Sequence, residues 1–501
     1  MKKYIFLFLS LFSSINLSAQ EKGLDQRIDE AFQPISEFFS KYVFYPIGDY
    51  PFVIYLLVGS ALFFTIYFGF PNLKYFWTAI NVVRGKYDKL EKNDNDSKDG
   101  EVSHFQALAT AVSGTVGNGN IAGVALAIAL GGPGATFWMI VCGLLGMSTK
   151  FVECTLGVYY RDVDEDGVVY GGPMYYISKG LKSKGFKTLG TIAASLFAIF
   201  CIGGSFGGGN AAQSNQATIV IKNLFGYEST FAGAMIGIVL AALVGIIIIG
   251  GIKRIASVTE KVVPFMALLY ILACIYILTI NFSFIDDAIA LIIREAFNPT
   301  AVGVGGIIGV LMVGFQRAAF SNEAGAGSAS IAHSAVKTKY AASEGLVALL
   351  EPFIDTVVIC TMTALVIITF NSSGAFVYGG DGMGGVMIDG VMYEGAGITQ
   401  KAFAQYIPGS DIFLTIAVVL FAVSTMISWS YYGLQSWKFL FGRGRVADLT
   451  YKLLFLMFVV IGAAASMNSI WAFSDAMIFA MVFPNMIGLY FLFPIVKEQL
   501  K

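Results

Sequence analysis

Stretches of about twenty apolar residues recur along this chain and constrain its fold more than any other feature. A helix needs about twenty residues to cross the hydrocarbon core of a bilayer. The chain has 501 residues, of which 56% are hydrophobic and only 13% are charged, a composition that excludes a soluble globular protein. We therefore predict an all-α integral membrane protein with eleven transmembrane helices. They are placed near residues 51–69, 103–130, 137–160, 189–219, 231–250, 262–280, 300–330, 343–370, 411–437, 452–468 and 471–495.

The positive charges predict the orientation of these helices. If the N-terminus is outside, the segments between the helices that face the cytoplasm carry twenty-two Lys and Arg residues, against six on the outer side. Cytoplasmic loops of membrane proteins are enriched in Lys and Arg. We therefore expect a multi-pass protein of a bacterial inner (plasma) membrane, with its N-terminus outside and its C-terminus in the cytoplasm.

The N-terminal part precedes the main bundle. Residues 1–20 have a lysine pair, an apolar stretch and a small-residue end, which is typical of a secretory signal peptide, and an uncleaved anchor helix is the alternative. Residues 21–102 are predicted to hold a periplasmic segment, one extra transmembrane helix and a charged cytoplasmic linker. Of the outer segments, 281–299 is predicted to lie along the membrane surface, and for 371–410 a plain loop is favoured over a hairpin or lid.

Two of the apolar segments are interrupted by glycine and amide residues, at Ser113–Asn120 and at Gly314–Ser328. Non-helical backbone survives at membrane depth only where protein or a water-filled cavity satisfies it, so each break predicts a buried site for a polar ligand or ion. Each break opens a set of five segments, 103–281 and 282–501. Because five is odd, the second set enters the membrane in the opposite direction, a 5+5 inverted repeat of the kind found in secondary transporters.

The first break combines flexible backbone with neutral polar side chains. Gly117 and Gly119 permit unusual torsions, and Thr115, Asn118 and Asn120 add hydrogen-bonding groups without net charge. Freed N–H groups at a half-helix N-terminus suit a carboxylate, and freed carbonyls suit sodium or an ammonium group. The alternative is that the glycines only permit close helix packing.

Polar groups in two other segments are candidates for the same site. Ser424, Thr425 and Trp429 occupy neighbouring helical positions, and Thr425 and Trp429 share a face because they are four residues apart. Hydroxyl oxygens suit an alkali cation, although helical Ser and Thr also bond to their own backbone. Gln213 lies in an amide-rich segment, and amides in the hydrocarbon layer need partners.

The charged and reactive residues give no sign of an enzyme. No nucleophile is paired with a base at membrane depth, so we predict no catalytic residue, and an intramembrane enzyme is disfavoured. The five cysteines and two histidines show no metal-site spacing, and His104 and His333 are interpreted as structural. No acidic relay chain is evident. Gating or structural pairing is favoured over substrate contact for four charged residues at membrane depth: Lys150, Glu153, Arg317 and Glu323.

Five motifs resemble those of the alanine/glycine:cation symporter family. They are Gly114-Thr-Val-Gly-Asn-Gly-Asn-Ile-Ala-Gly123, Leu130-Gly-Gly-Pro-Gly-Ala135, Phe320-Ser-Asn-Glu-Ala-Gly325, Glu351-Pro-Phe-Ile-Asp-Thr356 and Trp429-Ser-Tyr-Tyr-Gly433. The resemblance covers residues 50 to 495. It implies eleven helices, the last ten in the inverted-repeat fold shared with sodium symporters of amino acids and neurotransmitters.

The resemblance also implies site residues. A sodium ion would be held by backbone of Ser113 and Val116 and by hydroxyls of Ser424 and Thr425. The substrate carboxylate would meet amides near Gly117, Asn118 and Gly119. The rest of the pocket would be lined by Thr115, Asn120, Gln213, Phe315, Thr425 and Trp429. Two positions depart from the family pattern, Asn118 where threonine is expected and Leu434 where glutamate is expected.

The function implied is import of a small neutral amino acid, alanine or glycine, coupled to sodium by alternating access. The alternatives are a proton-coupled transporter of another small amino acid and, from a different class, an ion channel. Sodium is a co-substrate and no cofactor is expected. The expected partners are the amino acid, sodium and membrane lipid, without nucleic acid. The sequence leaves open the oligomeric state, the stoichiometry, and the choice among alanine, glycine and serine and between L and D forms.

Overall fold

The computed structural model describes residues 23–91, 100–227, 229, 231–299 and 305–500, so the predicted signal peptide lies outside the described residues. In the first part of the chain the helices are α1 Leu24–Val43, α2 Phe52–Tyr67, α3 Pro71–Lys74, α4 Phe76–Val83, α5 Asp88–Glu91, α6 His104–Thr115, α7 Val124–Gly131, α8 Gly134–Tyr159, α9 Pro173–Ser183, α10 Lys187–Phe206, α11 Ala212–Phe225, α12 Ala232–Ile248 and α13 Gly251–Ile280. Stretches of π-helix at Gly119–Gly123 and Gly207–Ala211 lead into α7 and α11.

In the second part the helices are α14 Ile285–Phe297, α15 Gly306–Asn322, α16 Ser330–His333, α17 Ala341–Ala348, α18 Leu350–Pro352, α19 Thr361–Phe370, α20 Ala396–Tyr406, α21 Ser410–Phe441, α22 Arg445–Ala464 and α23 Met467–Gln499. A third π-helix, Phe353–Cys360, joins α18 to α19, and 3-10 turns lie at Phe282–Phe284 and Asn371–Ser373. Short antiparallel strand pairs join β1 Pro46–Ile47 to β2 Tyr50–Pro51, β3 Asp162–Val163 to β4 Val169–Tyr170, and β5 Gly385–Ile388 to β6 Val391–Glu394.

The structure confirms a multi-pass helical membrane protein. Seven helical spans in the described chain are long and apolar enough to cross a membrane, and the bent pair of α6 with Gly119–Gly131 makes an eighth. The helices α2 and α12 are shorter and equally apolar. The outer faces of α12 and α13 are apolar as well, with Ile246 and Leu268 well exposed. Lipid is the environment in which such exposed apolar faces are stable.

Three segments between the spans differ from or refine the sequence predictions. The segment predicted to lie along the membrane surface, 281–299, holds α14, which packs on α8 through a 3.2 Å hydrogen bond from Trp138 Nε1 to the Ala296 carbonyl. In segment 371–410, where the sequence favours a plain loop over a hairpin or lid, the chain forms the β5–β6 hairpin and α20. The second break begins at Glu323 rather than at Gly314, because α15 runs unbroken to Asn322.

The N-terminal helix α1 packs on the N-terminal end of α23. Ser36 donates a 2.8 Å hydrogen bond to the carbonyl of Ser469, and the ring of Phe32 lies 5.0 Å from that of Phe473 in an edge contact. Phe32 is buried among apolar residues that form a second, smaller core. Because α1 is amphipathic and contacts α23 directly, it stabilises the N-terminal end of that helix.

Replacing Phe32 with alanine is therefore expected to destabilise the folded protein by roughly 3 kcal/mol, through lost apolar burial and the cavity left behind. Thermal unfolding in detergent measures the change. Phe38→Ala on the same helix is the matched control, because Phe38 is 57% exposed and should change stability by less than about 0.5 kcal/mol. Equal losses of stability in the two variants would show that the packing of α1 on α23 does not depend on Phe32.

Candidate functional site

The first break bends the path of the chain at membrane depth. Helix α6 ends at Thr115, the helical path resumes at Gly119, and the two parts are inclined by 50°. The last carbonyls of α6 and the first N–H groups of the following segment lie outside any regular helix, as at every helix end. The negative end of one half-helix dipole and the positive end of the other therefore face the same region.

Two side-chain amides hold the break in place. The N–H of Gly117 donates to Asn120 Oδ1 at 2.8 Å, and the N–H of Asn118 donates to Gln213 Oε1 at 2.9 Å. Asn118 Nδ2 returns a bond of 3.1 Å to the Gln213 carbonyl. Gln213 itself is fixed by a 2.9 Å bond from Nε2 to the carbonyl of Gly208, inside the π-helix. Asn118, Asn120 and Gln213 thus connect the break to α11.

The predicted sodium-binding hydroxyls meet the end of α6. Thr425 Oγ1 donates to the carbonyl of Ser113 at 3.0 Å, and Ser113 Oγ donates to the carbonyl of Ser424 at 2.7 Å. Ser424 Oγ bonds to Phe421 O of its own helix at 2.9 Å. Val116 caps α6 and leaves the helical conformation at ψ 86. The hydroxyls and carbonyls of Ser113, Ser424 and Thr425 thus meet at the C-terminal end of a half-helix, where a cation is favoured, while Ser424 Oγ stays bonded to its own helix.

The second break and the third π-helix contact the first break from the opposite side. Asn120 Nδ2 donates to Asp355 Oδ1 at 2.6 Å, and Ser321 Oγ donates to Asp355 Oδ2 at 2.9 Å. Helix α15 then ends at Asn322, and the next residue, Glu323, has a φ of 56 in the left-handed region that non-glycine residues rarely adopt. Asp355 therefore joins both interrupted helices through neutral donors.

A small cavity with a volume of about 10 Å³ lies between the two breaks. It is lined by Gly114, Thr115, Gly119, Gly208, Gln213, Phe320, Ser321, Glu323, Trp429 and Ile478. Trp429 Nε1 donates to Glu323 Oε1 at 2.9 Å, and Ser328 donates to the other carboxyl oxygen. Glu323 is the one acidic or basic side chain in this lining.

One side of the cavity is covered by aromatic and charged groups. The rings of Phe320 and Trp471 stack with centroids 5.0 Å apart, and the Arg317 guanidinium lies 5.5 Å from each centroid. Arg317 also pairs with Asp475 of α23, and both side chains are almost fully buried. This pairing agrees with the structural or gating role favoured for Arg317 from the sequence.

The predicted substrate residues separate into three groups in the structure. Those that line the cavity are Thr115, Gly119, Gln213 and Trp429. Those that lie behind the lining and hold it are Gly117, Asn118, Asn120 and Thr425. Phe315 lies apart from the cavity, against Trp138 of α8, with ring centroids 6.4 Å apart.

Phe320, Ser321 and Glu323 line the cavity but were not among the predicted substrate residues. Their positions depend on where α15 ends. A break placed at Gly314 puts Phe315 at the cavity, whereas the observed end at Asn322 moves the cavity five residues along the chain to Phe320. The sequence did contain a signal for a break at this later position, namely Gly325 and Gly327. They adopt φ values of 93 and 87, in the region that favours glycine.

Comparisons with known proteins give the class of the protein. The fold resembles that of an Eremococcus coleocola manganese transporter, with a TM-score of 0.51 at 12% identity over 77% of this chain and 78% of that chain. It also resembles MhsT in complex with L-phenylalanine, with a TM-score of 0.50 at 14% identity over 80% of this chain and 99% of that chain. The fold is therefore one that this chain shares with the manganese transporter and with MhsT.

The sequence comparisons identify the family. Residues 33–501 match the sodium:alanine symporter family, and the chain belongs to that family. It is 39% identical to the sodium/alanine symporter AgcS of Methanococcus maripaludis, over 90% of this chain and 94% of the archaeal protein. It is 35% identical to the amino-acid carrier protein AlsT of Bacillus subtilis, over 90% of this chain and 87% of that protein. The resemblance inferred from the five motifs is confirmed.

The close contact at Gly117 provides a test of this geometry. A Cβ at Gly117 would overlap Thr425 Oγ1 and lie 3.0 Å from Gln213 Oε1, so Gly117→Ala is expected to cost about 1–3 kcal/mol of stability through overpacking. Thermal unfolding measures the loss. Gly123→Ala is the matched control in the same interrupted helix, because its Cβ meets only the Trp471 ring at an ordinary 3.6 Å. Equal stability of the two variants would contradict the packing described here.

Proposed function

We propose that the protein imports a small neutral amino acid, alanine or glycine, together with sodium by alternating access. One observation carries the proposal: the oxygen atoms of Ser113 and Thr425 at the end of α6 lie next to the cavity, because Gly117 packs against both Thr425 Oγ1 and Gln213 Oε1, and Gln213 lines the cavity. An ion and a substrate held at adjacent positions can affect each other's binding. The family membership and the names of AgcS and AlsT support the same function.

The sodium ion would bind where Ser113, Val116, Ser424 and Thr425 meet. Sodium prefers oxygen ligands, and backbone carbonyls with hydroxyl groups supply them without adding charge. Thr425 Oγ1 lies 3.0 Å from the Ser113 carbonyl, so the two oxygens need to turn only slightly toward a shared ion. The C-terminal end of α6 adds the favourable end of a helix dipole.

The amino acid would bind with its two charged groups at different breaks. Its carboxylate would face the N-terminus of the segment that starts at Gly119, where N–H groups and the helix dipole favour an anion. Its ammonium group would face Glu323 at the C-terminal end of α15. The carboxyl oxygens of Glu323 accept bonds from Trp429 and Ser328, and an ionised carboxylate has about four acceptor positions, so two remain for the ammonium.

The proposed substrate is small because large side chains crowd the cavity. Phe320 and Trp429 form two walls, and Trp429 is held by its bond to Glu323 and by contact with the π-helix at Gly209. An extra methylene that fits a pocket is worth only about 0.8 kcal/mol. Attraction therefore cannot exclude larger amino acids, and a steric wall is required.

The arrangement in the membrane follows from the segment count and the charge distribution. We propose eleven transmembrane helices, of which the last ten form two five-helix repeats in opposite orientation, each opening with an interrupted helix. The broken paths of α6 and α15 support this arrangement, because they come first in the two sets and meet at the cavity. The positive-inside rule supports an outside N-terminus and a cytoplasmic C-terminus in a bacterial inner membrane.

Sodium is expected to raise the affinity for alanine or glycine, because a cation beside the substrate carboxylate lowers the cost of burying that charge. Thr425→Ala should raise the half-maximal sodium concentration on the order of tenfold, since loss of one hydroxyl ligand costs about 1–2 kcal/mol. Binding of labelled alanine to purified protein, in sodium and in choline salts, measures both effects. Thr425→Ser keeps the hydroxyl and is the matched control. Equal affinity in the two salts would refute the proposed coupling.

Trp429→Ala is expected to admit larger apolar amino acids such as leucine and to weaken alanine binding, because the variant removes one wall of the cavity. Competition by unlabelled amino acids against labelled alanine measures the substrate range. Trp429→Phe keeps a ring in place and should preserve the exclusion of leucine, although it loses the bond to Glu323. An unchanged substrate range in Trp429→Ala would show that another residue forms the wall.

A further inference from the structure

Asp355 is a fully buried acidic residue in the third π-helix, and three neutral side chains surround its carboxyl group. Asn120 Nδ2 lies 2.6 Å from Asp355 Oδ1, and Thr356 Oγ1 lies 2.7 Å from Asp355 Oδ2. Ser321 Oγ lies 2.9 Å from Oδ2 and 3.2 Å from Oδ1. Of these three neighbours, Ser321 is the one that lines the cavity. The carboxyl group of Asp355 therefore lies directly behind a hydroxyl group of the cavity wall.

The direction of the bond from Asn120 is fixed by the backbone of the first break. A backbone N–H group can only donate a hydrogen bond. The N–H of Gly117 donates to Asn120 Oδ1 at 2.8 Å, so the amide of Asn120 turns its Nδ2 toward Asp355. The Oδ1 atom of Asp355 is therefore an acceptor.

The direction of the bond from Thr356 is fixed in the same way by the backbone after the second break. The N–H of Ala324 donates to Asn322 Oδ1 at 3.0 Å, so Asn322 turns its Nδ2 toward Thr356 Oγ1, at 2.9 Å. Thr356 accepts that bond, and its one hydroxyl hydrogen is directed to Asp355 Oδ2. The Oδ2 atom of Asp355 is therefore an acceptor as well.

The hydrogen between Asp355 and Ser321 is the one that these fixed bonds leave undetermined. An ionised carboxyl group only accepts, so Ser321 then donates its hydrogen to Asp355 and keeps its two oxygen lone pairs for other donors. Cys360 Sγ, 3.6 Å from Ser321 Oγ, takes at most one of them. The bonds from Asn120 and Thr356 favour the ionised form, because hydrogen bonds donated to a carboxylate stabilise its charge.

The other charged group that acts on Asp355 is Glu351, one helical turn earlier in the chain. Glu351 is paired with Lys150 at 3.0 Å, which reduces its effect on Asp355. A cationic group bound in the cavity would favour the ionised form of Asp355 further, since opposite charges attract. In that form Ser321 turns its oxygen atom, and not its hydrogen, toward the cavity.

Ser321 also lies where the two proposed contacts of the substrate meet. A Cβ at Gly119 would be 3.4 Å from Ser321 Oγ, and Glu323 lines the same cavity. An ammonium group has three N–H donors, and the two acceptor positions left on Glu323 can take only two of them. An oxygen atom that presents a lone pair is suited to the third N–H and unsuited to a carboxylate.

We propose that Ser321 Oγ accepts a hydrogen bond from the ammonium group of the substrate, and that Asp355 is the positioning residue that turns Ser321 to do so. The inference rests on the function proposed above, which places an amino acid in this cavity. Asp355 acts only through Ser321 and does not touch the substrate. The two breaks contribute together, because the N–H groups of Gly117 and Ala324 make both oxygens of Asp355 acceptors.

Solid-state NMR observes the two ends of the substrate separately. Alanine labelled with ¹⁵N and with ¹³C in its carboxyl group is bound at saturation to the full-length protein in liposomes containing sodium. Ser321→Ala should move the ¹⁵N signal of the ammonium group, leave the ¹³C signal of the carboxylate in place, and weaken alanine binding on the order of tenfold. Ser321→Thr keeps the hydroxyl group and is the matched control, which should keep the ¹⁵N signal of the parent protein.

Asp355→Asn tests the positioning role. Ser321 Oγ is near both carboxyl oxygens, so an amide in either orientation brings its nitrogen within reach of Ser321 and donates to it. The hydrogen of Ser321 is then free to face the cavity. We expect the ¹⁵N signal to move as in Ser321→Ala, and we expect no further loss of alanine affinity when the two substitutions are combined.

Two further variants separate positioning from folding. Thr356→Val removes a donor to Asp355 without changing the hydrogen of Ser321, so the ¹⁵N signal should stay in place. Asp355→Ala removes the acceptor completely and takes the place of Asp355→Asn if thermal unfolding shows that the amide variant does not fold. Independent structural roles of Asp355 and Ser321 would instead give losses of affinity that multiply in the combined variant.

The outcomes separate this inference from the proposed function. A ¹³C signal that moves in Ser321→Ala while the ¹⁵N signal stays would show that Ser321 donates to the carboxylate, and it overturns the inference. An unchanged ¹⁵N signal in the Asp355 variants overturns the positioning role, as does a displacement in Thr356→Val equal to that in Ser321→Ala. Each of these results leaves the transport proposal intact. Absence of sodium-dependent alanine binding in the parent protein contradicts the proposed function itself.

Discussion

The structure depends on the hydrogen bonds that satisfy an interrupted backbone at membrane depth. Freed N–H groups in the hydrocarbon layer cost several kcal/mol each when they have no partner. Here the side chains of Asn120 and Gln213 accept from the backbone of Gly117 and Asn118 at 2.8 and 2.9 Å. Because these bonds fix the bend, the ends of α6 and of the segment after it stay directed at one cavity. The Gln213 side chain connects the first break to α11. The Asn120 side chain connects it to Asp355, which also accepts a bond from Ser321 near the end of α15.

Charged residues are placed on two sides of this cavity and leave its lining nearly neutral. Arg317 and Asp475 cover the side that carries Phe320 and Trp471, and Lys150, Glu351 and the two histidines lie on the other side. Buried ion pairs contribute little net stability, since desolvation offsets most of their attraction. Each pair joins two different elements, Arg317 with Asp475 and Lys150 with Glu351, and under the proposed alternating access such pairs would separate when the cavity opens. A pair of this kind gives a closed state with a defined geometry and a finite cost of opening.

The sequence predicted the first break well and the second break less well. Gly117, Gly119 and the two asparagines signal the bend at α6 directly, and the structure brings Ser113 to Thr425, a contact implied by the family resemblance. The sequence places the second break at Gly314 and so predicts Phe315 at the cavity, but a single glycine costs a helix only about 1 kcal/mol, and α15 continues through Gly314, which brings Phe320 to the cavity instead. The contact of both histidines with Glu344 was not predictable, because His104 and Glu344 are 240 residues apart in the chain and meet only through tertiary folding.

Glu323 connects the cavity to the buried ion pair of Lys150 with Glu351. Its carboxyl group lines the cavity, accepts the Trp429 N–H bond that fixes the proposed wall, and acts electrostatically on Lys150. Under the function proposed here, an ammonium group bound at Glu323 would share that carboxyl group with Trp429 Nε1 and lie near Lys150. Substrate binding would therefore affect the wall of the cavity and the Lys150–Glu351 pair together.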